Sequence, residues 1–114
     1  MEHWDLHEVE TPEGSRSPVV LHSASEGRAV LIGLHPGQEL GDHQVKENAY
    51  LLVVDGEARV EAAGDARDAG AGELFAFVPD EIHRISTRSG ARLLLFLAPW
   101  PGEGHYRGEV RELA

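Results

Sequence analysis

Glycine and proline break this chain into short apolar runs, and no run is long enough or spaced correctly for an amphipathic helix. Thirteen glycines and six prolines are spread over 114 residues. Between them lie Val19–Leu21, Ala29–Leu34, Tyr50–Val54, Ala58–Glu61, Leu74–Val78, Ile82–Thr87 and Arg92–Ala98, rich in Val, Ile, Leu and Phe. Such segments read as strands, because β-branched and aromatic side chains suit a pleated surface and the turn residues end each run. Apolar positions nowhere recur at i, i+3, i+4 and i+7, so the strand-turn pattern predicts an all-β sandwich or barrel. Asp55-Gly56 predicts a tight hairpin, since both central positions of a type I′ turn need positive φ. Gly64-Asp65, Ala69-Gly70-Ala71-Gly72 and Arg88-Ser89-Gly90 predict further reversals. The one segment with any helical character is the charged Gly108–Ala114.

This length suits one domain. The strands predict a core at about 19–98, an arm and edge strand over 1–18 that turns at Thr11-Pro12-Glu13-Gly14, and a tail over 99–114. Asp and Glu outnumber Lys and Arg by 20 to 10, a formal net charge of −10. Polyanions and anionic membranes repel such a surface, and its basic residues (nine Arg and Lys46) form no cluster, so neither nucleic acid nor membrane is an expected partner. The longest apolar stretch, Leu93–Ala98, is far shorter than the ~20 residues of a membrane-spanning helix. With no signal-like apolar segment at the start, a cytoplasmic protein is expected. The absence of cysteine removes disulfides, thiolate ligands and cysteine nucleophiles together.

Seven histidines direct attention to metal chemistry. Two sit in patterned surroundings. Gly37 precedes His43 by six residues, and the apolar run after it reaches Gly56; Gly72 leads through Pro79-Asp80-Glu81 to His83. In these segments the chain resembles the cupin superfamily, whose two motifs run G-x5-H-x-H-x3,4-E-x6-G and G-x5-P-x-G-x2-H-x3-N. The resemblance covers a little under half of the chain, Gly37 to Thr87. It implies a double-stranded β-helix, or jelly-roll barrel, with an N-terminal arm. It also implies a site inside the barrel, where three histidines and a glutamate of the family hold a divalent metal such as Fe, Mn, Ni or Zn.

The departures from that pattern bear on function. With Gly37 and Gly56 in register, the second histidine position is Val45 and the glutamate position is Ala49. Val78 and Asp80 stand where the second motif has proline and glycine, and Thr87 replaces its asparagine. His43 and His83 alone match, and two protein ligands fall short of the three or four that zinc sites use. A second register puts His43 at the second histidine, so that Glu47 falls at the glutamate and Gly41 at the first ligand position. The set His43, Glu47 and His83 would then suit ferrous iron with open coordination positions. Each residue also has an ordinary reading: either histidine can hydrogen-bond within a core, and Glu47 belongs to the polar trio Lys46-Glu47-Asn48 of a solvated loop. His35 reads as a rim or core residue, and His3, His7 and His22 as exposed.

The tail Ala98-Pro99-Trp100-Pro101-Gly102-Glu103-Gly104-His105-Tyr106 is stiffened by two prolines around a tryptophan. It reads as a clasp packing Trp100 on the body, or as the lip of a pocket to which Trp100, Tyr106 or a ligating His105 contributes. No phosphate loop, G-x-S-x-G elbow or H-E-x-x-H is present.

Three functions follow as expectations. The first is a binding module that holds a small organic molecule among His43, Val45, Ala49, His83 and Trp100, with a weakened metal site. The second is a metal-dependent enzyme of oxygenase or isomerase type, built on His43, His83 and Glu47 or His105, or a metal-free variant in which His83 is the acid or base. The third is an interaction scaffold, compatible with either: a homodimer formed through apolar strand faces and the Trp4-Asp5-Leu6 arm.

Overall fold

The computed structural model describes residues 1–12 and 18–102. Among them are eight antiparallel strands and no helix: β1 (Val19–Ala24), β2 (Gly27–Leu34), β3 (Glu39–His43), β4 (Asn48–Ala62), β5 (Asp65–Gly70), β6 (Leu74–Phe77), β7 (His83–Ser86) and β8 (Ala91–Ala98). No helix long and apolar enough to cross a membrane occurs among these residues. The strands curl into a jelly-roll barrel, with β4 the element common to both of its sheets. The first half of β4 lies between β8 and β6, in a sheet that continues through β2 to β1. Its second half lies between β5 and β7, in a sheet that ends at β3.

The crossing between sheets corrects the hairpin expected at Asp55-Gly56. The chain does not reverse there; β4 runs on, and its register against β8 slips between Val53 and Asp55. Gly56 takes φ of 80°, and a side chain there would collide with the Gly90 carbonyl. The extra residue is a bulge, which bends the strand and changes which alternate residues face inward. Ala49, Leu51 and Val53 are buried before it, Ala58 and Val60 after it. Reversal comes instead at Ala63-Gly64, both with positive φ, and leads into β5. The polar sequence Asp65–Gly70 had given no strand signal, nor had Glu39–His43. The reversals expected near Gly70–Gly72 and at Arg88-Ser89-Gly90 lie between β5 and β6 and between β7 and β8.

One apolar cluster fills the interior, drawn from alternate residues of both sheets: Val30 and Ile32 of β2, Leu51 and Val53 of β4, Ile85 of β7, and Leu93, Leu95 and Leu97 of β8. The arm contributes no strand among residues 1–12; the edge strand is β1 itself. The arm lies against the first sheet, where Arg92 donates to the Val9 carbonyl at 2.5 Å and the Thr11 side chain occupies the space above Gly33. The sequence from Gly108 onward, like Thr11-Pro12-Glu13-Gly14 beyond Pro12, lies outside the described residues.

Candidate functional site

His43 and His83 meet because β3 carries its own bulge. Leu40 opposes Ile85 across β3 and β7, and both are buried. In regular pairing Asp42 would then oppose His83 and His43 would point outward. A register shift between Leu40 and His43 puts His43 opposite His83 instead. Directly opposed residues share a face of the sheet, so both imidazoles lie on the side of Leu40 and Ile85, the barrel interior. Their ring centroids are 6.2 Å apart with planes at 67°. Asp42 is displaced outward by the same bulge and meets Arg84 at 3.4 Å.

Behind His83 stands an aromatic row. The Phe77 ring stacks on the imidazole with centroids 4.3 Å apart and planes within 9°. Phe75, two residues earlier on the same face of β6, lies parallel to Phe77 at 6.5 Å. His83 is 1% exposed, while His43 is half-buried. Nδ1 of His83 is 3.2 Å from the Glu81 carbonyl, and a carbonyl only accepts, so Nδ1 carries the proton. The lone pair of the neutral ring is therefore on Nε2, which is buried and has no hydrogen-bond partner among the described residues. Burial pushes the His83 pKa below its ordinary 6.5; the Glu81 carbonyl acts against that shift and the neighbouring His43 adds to it. His83 is thus a neutral acceptor at neutral pH.

The remaining expected site residues are distributed as follows. Val45 and Ala49 are buried in the apolar cluster and offer no donor atoms. Glu47 is buried as well, but its Oε2 accepts the Gly102 amide at 2.6 Å. Trp100 is buried in the cluster, with the Arg28 guanidinium 4.4 Å over its ring and its amide donated to the Ser25 carbonyl. Pro99–Gly102 accordingly closes over the loop before β4, in the manner of a clasp. His105 and Tyr106 lie outside the described residues. His35 is half-buried just after β2, and His22 on β1 sits between Glu26 and Glu2, which raise its pKa, Glu26 the more.

The family resemblance of the sequence implies a divalent metal inside the barrel, and the donors present can be tested against it. Among the described residues no three His, Asp or Glu side chains group closely enough to hold an ion. Among the described residues, the two imidazoles fall short of the three- and four-ligand sites that bind metal firmly.

Two recesses open at this end of the barrel, on either side of the β4–β5 hairpin. The larger, about 640 Å3, is lined by His83 together with Asp42, Glu61, Asp65, Arg84 and Ile82 among others. The smaller, about 240 Å3, has Phe75 and Phe77 on one wall and Arg67 among its polar groups. Ala62, Asp65 and Ala66 border both. Sequence reasoning had found the histidines but not Phe75, Phe77 or the carboxylates, which become neighbours only through pairing of distant strands.

No protein-family model matches the chain, and no curated protein does. Solved structures do. An RmlC-like cupin from Desulfovibrio desulfuricans superposes with a TM-score of 0.76 at 20% identity, over 87% of this chain and 97% of that one. An uncharacterized conserved protein with a double-stranded β-helix domain from Klebsiella pneumoniae gives 0.75 at 22%, over 90% and 94%. An RmlC-like cupin from Shewanella frigidimarina gives 0.73 at 24%, over 87% and 92%. At these identities the likeness speaks for architecture alone: the chain has the double-stranded β-helix fold of these proteins.

Proposed function

We propose that this small cupin binds a small organic molecule at the His43–His83 end of its barrel, and that its metal site is weakened to the point of not being the basis of its activity. The observation that carries this reading is the His83 imidazole: held in one tautomer, backed by Phe77, and presenting a buried Nε2 without a partner. A buried polar atom left unpaired costs about 1–3 kcal/mol, which a bound ligand would recover. The apolar side chains at Val45 and Ala49 favour an organic guest over an ion. The test is metal content and ligand binding measured together, on protein purified without an affinity tag. Expected is far less than one Fe, Mn, Ni or Zn per chain after incubation with each, unchanged in His43→Ala/His83→Ala, and small-molecule binding that the double variant loses. One metal per chain, lost in the double variant, would replace this reading with the metal-dependent enzyme.

A second reading concerns assembly and is compatible with the first. The outer face of the first sheet is apolar, which favours a homodimer through that face.

A further inference from the structure

The inner side of the β4–β5 hairpin carries the small-molecule reading, on which this inference rests, to a class of guest. We propose that the recess between β5 and β6 holds a single-ring organic carboxylate, with its ring against Phe75 and its carboxylate on Arg67.

Pairing with β4 brings these side chains to one space. Arg67 opposes Val60, which is buried in the core, so Arg67 lies on the inner face of the second sheet. Phe75 and Phe77 oppose Leu51 and Ala49, which are buried too, so both rings lie on the inner face of the first sheet. Arg67, Phe75 and Phe77 line the same recess, with Val60 beside them. β5 and β6 each pair with β4 alone, so the recess opens between the edges of the two sheets. Phe75 is half-buried, and the part of it that lines the recess is available to a guest. At about 240 Å3 the recess falls below the roughly 300–1,000 Å3 of drug-sized sites, which suits one ring with a short substituent.

The charges favour an anionic group at Arg67. It is exposed, and it makes no hydrogen bond or ion pair among the described residues. Its neighbour Asp68 is turned to the outer face, where it meets Arg59 at 3.4 Å. Two acids share the lining, and each gives an oxygen to the backbone of its own turn. Asp65 Oδ1 accepts the Ala66 amide at 3.0 Å, and Glu81 Oε1 accepts the Val78 amide at 3.1 Å. The guanidinium of Arg67 remains for the guest, and its planar fork matches a carboxylate with two parallel hydrogen bonds. An alcohol would use one of those donors and leave the charge uncompensated.

The experiment uses the full 15N-labelled chain and three probes of matched size: benzoate, benzyl alcohol and benzylammonium. Benzoate should bind most tightly, move the Arg67 Nε–Hε resonance, and weaken as salt is raised. Arg67→Ala should weaken benzoate about tenfold, the loss of a charge-assisted hydrogen bond at an exposed site, and leave benzyl alcohol unchanged. Arg67→Lys, which keeps the charge without the fork, should recover only part of that loss. Arg88→Ala makes the same change in net charge in the turn from β7 to β8 and should leave benzoate binding as it was. Benzoate bound no more tightly than either other probe, or equally by wild type and Arg67→Ala, would overturn the carboxylate while leaving small-molecule binding intact. Arg67 would then be an inward charge that guards the β5 edge against pairing. Failure of all three probes to bind would overturn both readings.

Discussion

Half-buried Glu57 gathers a whole turn onto one carboxylate. Its Oε1 accepts the amides of Arg88 and Ser89 at 3.0 and 3.1 Å and the Ser89 hydroxyl at 3.0 Å, while its own carbonyl accepts the Thr87 hydroxyl at 2.6 Å. One side chain on β4 thereby ties down the turn from β7 to β8. The Ser89 amide, then the Arg88 amide, hold its pKa below the ordinary 4.5. A depressed carboxyl pKa stabilises the fold above the unfolded value and ceases to as pH falls through the folded one. Glu57→Gln should therefore lower Tm near neutral pH, and the gap to wild type should narrow steadily below pH 4.5. Thermal unfolding followed across that range checks it; a gap independent of pH would mean that the charge is not what stabilises the turn. None of this was visible in the sequence, where Thr87 stood out only as a departure from asparagine. Glu47 was hidden in the same way: its partner, Gly102, is 55 residues further on, and no local pattern records such a distance.

At the level of elements, two single-residue insertions decide what faces the barrel interior. The bulge in β3 turns His43 inward, and the bulge in β4 does the same for Ala58 and Val60. Gly56→Ala tests the second. It forces a side chain into positive φ and against the Gly90 carbonyl, so it should destabilise by about 1–3 kcal/mol, read as a lower denaturation midpoint at unchanged m. A neutral result would show that β4 can cross between the sheets without this geometry. The same pair, Asp55-Gly56, shows where sequence reading stops. Positive φ at Gly56 is a local demand that both a type I′ turn and a bulge make, and Asp-Gly satisfies either. What separates them is whether β8 lies alongside, and residues 91–98 supply that pairing from far along the chain. Strands with apolar alternation, such as β2 and β8, were legible because burial on one face writes itself into the sequence. β5 was not, because four of its six residues are exposed. His43 and His83 were singled out by motif spacing, yet their convergence depends on the bulge, which spacing does not reveal.

Across the whole molecule the two sheets differ on their outer sides. That of the second sheet carries Glu39, Asp42, Arg59, Glu61, Asp68 and Arg84, several of them in ion pairs, as a solvated surface should. On the first sheet the residues alternating with the core ones are Tyr50 and Leu52 of β4, Leu94 and Phe96 of β8, and Leu74 and Ala76 of β6. Tyr50 is 42% and Leu74 65% exposed, although Leu31 farther along the same face is fully buried. The arm meets this face at Gly33 and Arg92, and the face is most exposed at Tyr50 and Leu74. The three strands β8, β4 and β6, about 4.8 Å apart and at most about seven residues long, give a face on the order of 340 Å2 before side-chain relief. That is less than half of the roughly 800 Å2 per partner of a standard interface, so a contact through this face would draw on the arm as well. A second copy suits it, because an uncharged patch is where a chain of charge −10 can meet itself with least repulsion, and a two-fold axis through the sheet pairs like with like. Sedimentation should accordingly find twice the chain mass of 12.4 kDa. Leu94→Glu should halve it with the far-UV spectrum unchanged, whereas Glu61→Lys on the charged sheet should leave it as it was. A monomeric wild type, or a dimer indifferent to Leu94→Glu, would place the second copy elsewhere or remove it.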